Sequence, residues 1–343
     1  MCIRDRQIGV LLDGGSTFDD VGGYINLADF LNGADSIAYI EADLSLNPDE
    51  DNNPFYSPGD GLARLYVTTQ GTDQGPYTEL VAGTNGDGDA LYTNGGYQDW
   101  VFGLSGDDTI VNNSDQTLAY LRGGEGNDQI TGGAIRDNLR GDAGSDYLDG
   151  GEGQDVAGYD GETGGHGIFL NLSDSDVTAL FEGSLQMVAA GHALDTFGDV
   201  DELVSIERVR GTSQDDIITG NSAYNVIFGG GGNDILYGGA GEEEIEGGWG
   251  TDALFGGGGN DIFVFRAGAL NAYDIVDFEV GVDQLRFEGF AADAELQNVD
   301  GDGETWQVVW NGGSDSEVVF LTEGVTALEA GVDFIFTSES LFV

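Results

Sequence analysis

Acidic residues recur every nine positions in two stretches of this chain, and carboxylates on a short fixed period can form a series of metal sites. Residues 211–264 read as six consecutive nonapeptides: GTSQDDIIT, GNSAYNVIF, GGGGNDILY, GGAGEEEIE, GGWGTDALF and GGGGNDIFV. Each begins with glycine, most carry an acid at position six, and all have an apolar residue at position eight. Carboxylates and backbone carbonyls are the oxygen ligands that Ca²⁺ prefers. The pattern therefore predicts calcium binding.

The same period predicts the elements that position these acids. Glycines allow the first six residues to turn tightly, and the last three form a short strand whose central side chain points inward. A nine-residue repeat of glycine, acid and aliphatic residue is typical of a calcium-binding parallel β-helix. The predicted inward column of the second block is Ile218, Ile227, Leu236, Ile245, Leu254 and Phe263.

A less regular block precedes it. GLSGDDTIV begins at Gly103, and four further nonapeptides run unbroken from Gly123 to Gly158. The piece NNSDQTLAYLR between them has eleven residues, which predicts one bulged turn. Upstream, residues 89–91 and 99–101 keep the acid-x-apolar spacing and are interpreted as degenerate first turns. The predicted inward column of this block is Ile110, Ile130, Leu139, Leu148 and Ala157.

These blocks resemble the hemolysin-type, or RTX (repeats-in-toxin), calcium-binding repeat GGxGxDxUx of bacterial secreted proteins. Residues 201–220 and 273–287 also resemble segments that flank repeat blocks in that family. The resemblance covers roughly residues 83–343. It implies that two nonapeptides make one coil, so that loops two repeats apart stack on one side and share calcium ions.

Such stacking would place Asp216, Asp234 and Asp252 in one row and Asn225, Glu243 and Asp261 in another. In the first block, the rows would be Asp108, Asp128 and Asp146, and Asp137 with Asp155. The candidate calcium ligands are the carboxylates of Asp108, Asp128, Asp137, Asp146, Asp155, Asp216, Asp234, Glu243, Asp252 and Asp261. Backbone carbonyls would complete the sites, from Gly103, Gly123, Gly132, Gly141, Gly150, Gly211, Gly229, Gly238, Gly247 and Gly256. A single Asp of this kind would more simply be a turn residue that caps its own backbone, but ten in register favour multiple Ca²⁺ ions.

The composition limits the possible partners. The net charge is −53, from 63 acidic residues against ten basic residues, all of them arginine. So negative a chain does not attract nucleic acid and is repelled by anionic membranes, and no apolar stretch is long enough to span a membrane. Disorder is the alternative, but 40% hydrophobic residues in periodic positions favour a fold. Because the carboxylates repel one another, we expect the repeats to unfold without calcium.

The sequence favours binding over catalysis, because neither an HExxH zinc motif nor a GxSxG nucleophile elbow is present. We expect a secreted, extracellular calcium-binding scaffold, adhesin or surface module. The alternative is the C-terminal part of a larger RTX enzyme or toxin, a protease, lipase or hemolysin, with its catalytic domain upstream. The resemblance also implies a type I secretion exporter that reads an uncleaved C-terminal signal, with which the tail FIFTSESLFV is compatible.

The predicted fold class is all-β, with two parallel β-roll (β-helix) blocks. Five segments are expected: a β-rich N-terminal segment (1–82), a first RTX block (83–158), a spacer (159–210), a second RTX block (211–264) and a β-rich C-terminal cap (265–343). The head MCIRDR differs from the rest, so residues 1–6 are expected to be an artefact and the N-terminal segment the end of a larger domain. In the spacer, GIFLNLSD predicts a strand and SLQMVAAGHAL a short helix. In the cap, WQVVW and EVVFL predict strands.

Overall fold

A computed structural model describes residues 39–43, 63–68, 77–83, 88–93, 98–115, 118–267, 272–299, 305–310, 315–321, 325 and 327–337. These residues form 29 strands and no helix, which confirms the predicted all-β class. Accordingly, the described part of the chain contains no helix able to cross a membrane.

The strands follow one another closely along the chain. They are β1 Tyr39–Asp43, β2 Ala63–Thr68, β3 Tyr77–Ala82, β4 Ala90–Tyr92, β5 Gln98–Ser105, β6 Thr109–Val111, β7 Leu118–Glu125, β8 Gln129–Thr131, β9 Asn138–Ala143, β10 Tyr147–Asp149, β11 Val156–Gly158, β12 Phe169–Asn171, β13 Val177–Phe181, β14 Ser184–Val188, β15 His192–Leu194, β16 Val200–Val204, β17 Arg208–Arg210, β18 Ile217–Thr219, β19 Val226–Gly231, β20 Ile235–Gly239, β21 Glu244–Trp249, β22 Thr251–Gly257, β23 Ile262–Arg266, β24 Ala272–Ile275, β25 Gln284–Glu288, β26 Glu295–Asn298, β27 Thr305–Trp310, β28 Asp315–Leu321 and β29 Phe334–Thr337.

Two long sheets face each other across the core. The first sheet has the order β1-β2-β3-β5-β7-β9-β11-β17-β19-β21-β23-β25-β29, and the second has the order β26-β27-β28-β24-β22-β20-β18-β12-β15-β16-β10-β8-β6-β4. In the repeat blocks, successive strands alternate between the sheets, so the chain winds as a β-solenoid of about nine turns. The parallel β-roll predicted from the nine-residue period is therefore confirmed.

The strand register shows that one coil contains two nonapeptides. Ile218 pairs with Leu236, and Leu236 pairs with Leu254, at intervals of 18 residues. Ile110 pairs with Ile130 at an interval of 20 residues, because the eleven-residue piece adds two residues to that coil. The bulged turn predicted there is confirmed.

The position-eight side chains form the core of the repeat blocks. All eleven predicted inward residues of the two blocks have no exposed surface. Leu91 and Val101 are equally buried and continue the column upstream, which supports the interpretation of residues 89–91 and 99–101 as first turns. Each buried aliphatic side chain contributes roughly 1.5 to 3 kcal/mol, so this column is the main apolar contribution to the stability of the repeat blocks.

The spacer contributes strands to both sheets. β17 lies between β11 and β19 in the first sheet, with parallel pairing on both sides. In the second sheet, β16 pairs in parallel with β10, β12 pairs in parallel with β18, and β15 lies antiparallel between β16 and β12. The predicted strand in GIFLNLSD is confirmed as β12.

The helix predicted for SLQMVAAGHAL is wrong. This stretch forms β14 and β15, and β14 makes an antiparallel hairpin with β13. Phe181 and Val188 of the hairpin bury their side chains against Phe169 of β12, and this contact requires alternation of period two. Gly191, at φ 68°, then turns the chain into β15. Tertiary packing has overridden a pattern that also suited a helix.

The C-terminal region extends the same two sheets. β25 and β29 add to the first sheet and β24 and β28 to the second, all by parallel pairing. The strands predicted in WQVVW and EVVFL are confirmed as β27 and β28, which pair antiparallel. The final segment of the tail, residues 338–343, lies outside the described residues.

Candidate metal centre

The acids at position six form hydrogen-bonded ladders along the solenoid. The backbone N–H of Asp216 donates to Oδ1 of Asp234 (2.9 Å), and that of Asp234 donates to Oδ1 of Asp252 (3.0 Å). The same bond joins Asp108 to Asp128, Asp128 to Asp146, Asp137 to Asp155, and Glu243 to Asp261, at 2.6 to 3.0 Å. The structure therefore stacks the candidate ligands in the rows that the resemblance implied.

The second carboxylate oxygen of most of these acids is buried and has no partner within the protein. This holds for Oδ2 of Asp108, Asp128, Asp146, Asp155, Asp234 and Asp252, and for both carboxylate oxygens of Glu243. The residues themselves are at most 3% exposed. A buried carboxylate oxygen that lacks a hydrogen bond or a cation is costly, because desolvation of the charge is not compensated. These oxygens are therefore available to bind a cation.

Asp137 and Asp216 differ, because the chain itself satisfies both of their oxygens. The N–H of Gly133 donates to Oδ2 of Asp137 (2.6 Å), and that of Thr212 donates to Oδ2 of Asp216 (2.6 Å). In each case the donor is position two of the same nonapeptide. Asn225 is capped in the same way by the N–H of Asn221 (2.7 Å).

The backbone at position two separates the two kinds of nonapeptide. In every described nonapeptide with a glycine at position four, the residue at position two has a positive φ, and no N–H from position two caps the acid. The position-two residues that do cap are Gly133, Thr212 and Asn221. Their nonapeptides have a residue other than glycine at position four, and none of the three has a positive φ. With this left-handed backbone, the residue at position two does not cap the second carboxylate oxygen.

Leu104 and Asp142 occupy position two with φ of 85° and 66°, respectively. A side chain in this region costs of order 1 kcal/mol or more, and such strain is typical of functional sites. The chain therefore keeps the left-handed turn even where glycine is absent.

Position-one glycines bring carbonyl and carboxylate oxygens together. A Cβ atom on Gly229 would overlap Oδ2 of Asp234 and the carbonyl oxygen of Gly247, one coil later. Gly103 stands in the same relation to Oδ2 of Asp108 (2.6 Å from the Cβ position) and to the carbonyl of Gly123. Within the described residues, no three His, Cys, Asp or Glu side chains converge on one point. An ion held here must therefore take much of its coordination from backbone carbonyls, which suits Ca²⁺ with its six to eight oxygen ligands.

Burial raises the pKa of these carboxyl groups. The pKa of Asp234 rises to about 9 through burial and then through the charges of Asp216 and Asp252. The pKa of Asp146 rises to about 8 through burial and the charge of Asp201. Burial is also the main cause at Glu243 (about 8), Asp108 and Asp155 (about 7), and Asp128, Asp216 and Asp252 (about 6), and it raises the pKa of Asp137. The raised pKa values show that no positive charge of the protein offsets the carboxylates in these rows. A divalent cation would supply that charge.

Three further acids extend the ladders beyond the nonapeptides. Asp201 accepts from the N–H of Asp146 (3.0 Å), Glu207 from that of Asp155 (2.9 Å), and Asp283 from that of Asp261 (3.1 Å). The glycine frame did not indicate them. Each is nonetheless followed two residues later by a buried apolar residue, so the acid-x-apolar triplet alone could have found them.

Comparison with known proteins agrees with this geometry. The family model for the RTX calcium-binding nonapeptide repeat matches the chain in four copies, at residues 93–111, 121–157, 210–242 and 244–263. No curated protein matches the chain. The matched residues are the coils that carry the carboxylate ladders. The chain therefore carries RTX-type calcium-binding nonapeptide repeats.

Proposed function

We propose that calcium ions lie between stacked coils of this protein and that their binding drives the repeat blocks to fold. The supporting observation is the set of buried carboxylate oxygens that have no partner in the protein. A rigid position for each unpartnered aspartate Oδ2 is already provided, because the Oδ1 of the same side chain accepts an N–H of the preceding coil. The cation would supply charge neutralisation and join successive coils.

The proposed carboxylate ligands are those of the nonapeptides with glycine at position four. They are Asp108, Asp128, Asp146, Asp155, Asp234, Glu243, Asp252 and Asp261. The carbonyls of the position-one glycines in the same coils complete the sites. Asp137 and Asp216 are the weakest of the ten candidates, because donors within the chain already satisfy both of their oxygens.

Coupled folding follows from the charge balance. Without a cation, each ladder holds buried carboxylates one above another, and only a single apolar column opposes their cost. Modules that work outside the cell commonly bind calcium at roughly 10⁻⁴ to 10⁻³ M, far above the calcium concentration of resting cytosol. The chain would thus stay unfolded inside the cell and fold after export. A type I exporter and an extracellular location fit this behaviour.

The module acts as a non-catalytic scaffold, adhesin or surface component in this proposal. This role is supported by the architecture of the described residues, because nearly all of their coils form the two sheets and the carboxylate ladders.

A calcium titration of the full chain, followed by far-ultraviolet circular dichroism, tests the proposal. We expect a cooperative gain of β signal between micromolar and millimolar calcium, and little change with magnesium, which requires a stricter octahedral site. Excess chelator should reverse the change. A native spectrum that persists in chelator at low salt would contradict calcium-driven folding.

A further inference from the structure

Arginines on the outer face of the first sheet generally have acidic partners. Arg140 pairs with Asp160 (3.2 Å), and Arg286 pairs with Glu288 (3.0 Å). Arg122 pairs with Asp142, and Arg266 with Glu246 and Glu288. With 63 acidic residues and ten arginines in the chain, pairing is the expected state of each guanidinium.

Arg208 and Arg210 of β17 depart from this rule. No acidic oxygen of the described residues lies within 4.0 Å of either guanidinium. The strand register gives the reason, because the neighbours on both sides in the outer rows carry no charge. These neighbours are Val156 and Val226 beside Arg208, and Gly158 and Phe228 beside Arg210.

The two arginines line one groove of about 200 Å³ on this face, together with Val156, Phe228 and Arg266. Residues i and i+2 of a strand project to the same side about 6.6 Å apart, so both guanidiniums reach the groove. Arg136, from the loop before β9, adds positive charge nearby. Burial, followed by the charges of Arg136 and Arg210, lowers the pKa of Arg208.

The acidic groups around the groove are engaged elsewhere. Asp160 also lines the groove, but it is held by Arg140. Glu244, on the strand beyond β19, attracts Arg208 but forms its ion pair with Arg286. The excess charge of the groove is therefore positive, in a chain whose net charge is −53.

We propose that this groove binds an oxyanion, the carboxylate or sulfate group of an acidic ligand. Paired guanidiniums present planar donors that match both groups, and they are more easily desolvated than an ammonium group. The apolar walls would contact the uncharged part of the ligand. A groove of this volume suits one charged group with part of its carrier, since sites for larger ligands are several times bigger. The site needs the folded coil but is separate from the calcium ligands.

Isothermal titration of the full, calcium-loaded chain with sodium sulfate and with sodium glucuronate tests this proposal. Chloride at equal ionic strength and neutral glucose serve as controls. We expect saturable binding of one or both anions. The double variant Arg208→Gln/Arg210→Gln should weaken it by about tenfold or more, because charged hydrogen bonds are lost. The matched variant Arg122→Gln removes the same kind of charge from the same face outside the groove, and should leave affinity within about twofold.

The two anions distinguish the source of the charged group. Preference for glucuronate indicates a carboxylate on a sugar, and preference for sulfate indicates a sulfated ligand. Arg210→Lys keeps the charge and the fold but loses the planar fork, so it should weaken binding several-fold if the double variant fails to fold. Absence of saturable binding of either anion, or equal weakening by Arg122→Gln and Arg210→Lys, would overturn the proposal.

Discussion

Replacing Asp234 by Asn should have opposite effects with and without calcium. Asp234 lies in the middle of a row and is 1% exposed, with Oδ1 bonded to the N–H of Asp216 and Oδ2 without a partner. Asn keeps an oxygen for that N–H and removes the charge. Asn225 shows that the coil accommodates this side chain at position six. The metal-free fold should gain stability, and the calcium-loaded fold should lose it.

The gain without calcium follows from the pKa of Asp234. With a folded pKa of about 9 and an unfolded value near 3.8, the carboxyl group is protonated in the folded chain at pH 7 and ionised in the unfolded chain. Each pKa unit corresponds to 1.36 kcal/mol, so taking up this proton at pH 7 costs about 4 kcal/mol. Asp234→Asn removes that cost. With calcium, the loss of one charged ligand should raise the calcium midpoint on the order of tenfold.

Two measurements separate these effects. The midpoint of folding induced by trimethylamine oxide in chelator reports the metal-free fold, because this osmolyte favours burial. The calcium midpoint from circular dichroism reports the loaded fold. Asp174→Asn is the matched control for charge, since Asp174 is exposed and should change neither midpoint appreciably. Asp216→Asn is the control within the row, and it should leave the calcium midpoint nearly unchanged, because Asp216 is capped by Thr212.

The reasoning fails if Asp234→Asn destabilises the chain equally in chelator and in calcium. Asp234 would then act only as a hydrogen-bond acceptor. It fails equally if Asp216→Asn raises the calcium midpoint as much as Asp234→Asn does, since the free oxygen would not then distinguish the ligands.

Three further perturbations test the same physical picture. The carboxyl groups have folded pKa values of about 6 to 9, which exceed the unfolded value, so the metal-free fold should gain stability as pH falls from about 9 to about 4. Over the same range the calcium midpoint should rise, and circular dichroism at pH 8 and pH 5 would show both effects. Gly229→Ala should abolish calcium-driven folding of its coil, because the added methyl group overlaps Oδ2 of Asp234. In the control variant Gly165→Ala the methyl group meets no atom within 4 Å, so this variant should retain the wild-type calcium midpoint. Leu236→Ala should lower unfolding free energy in calcium by about 2 to 5 kcal/mol, measured by urea denaturation, because its side chain has no exposed surface.

The repeated part of the fold was predictable because one period encodes both turn and strand. Position eight gave the inward column, and the eleven-residue piece gave the longer coil. The spacer was not predictable in the same way. Val156 pairs with Arg208, 52 residues later, and no glycine frame marks that register. The outer neighbours of Arg208, and with them the arginine groove, depend on this long-range pairing.

At the candidate metal centre, the rows of acids were predictable and their hydrogen-bond state was not. Whether a carboxylate is capped depends on φ at position two. Glycine there permits a positive φ but does not require it, and Gly133 lacks it. Leu104 and Asp142 adopt it although their side chains disfavour it. The glycine at position four is the better sequence marker, because it accompanies every positive φ at position two in the described nonapeptides.

The coils outside the nonapeptides show why the carboxylate ladder continues where the calcium motif ends. Asp201 of the spacer occupies the ladder, but the hydroxyl of Tyr159 donates to its Oδ2 (3.0 Å). Asp283, after the last nonapeptide, accepts from the N–H of Glu279 at Oδ2 (2.8 Å). A protein donor thus occupies the position that a cation would take in the repeats. Since each coil in such an array is stabilised mainly by its neighbours, these internally satisfied coils can end each ladder without binding an ion.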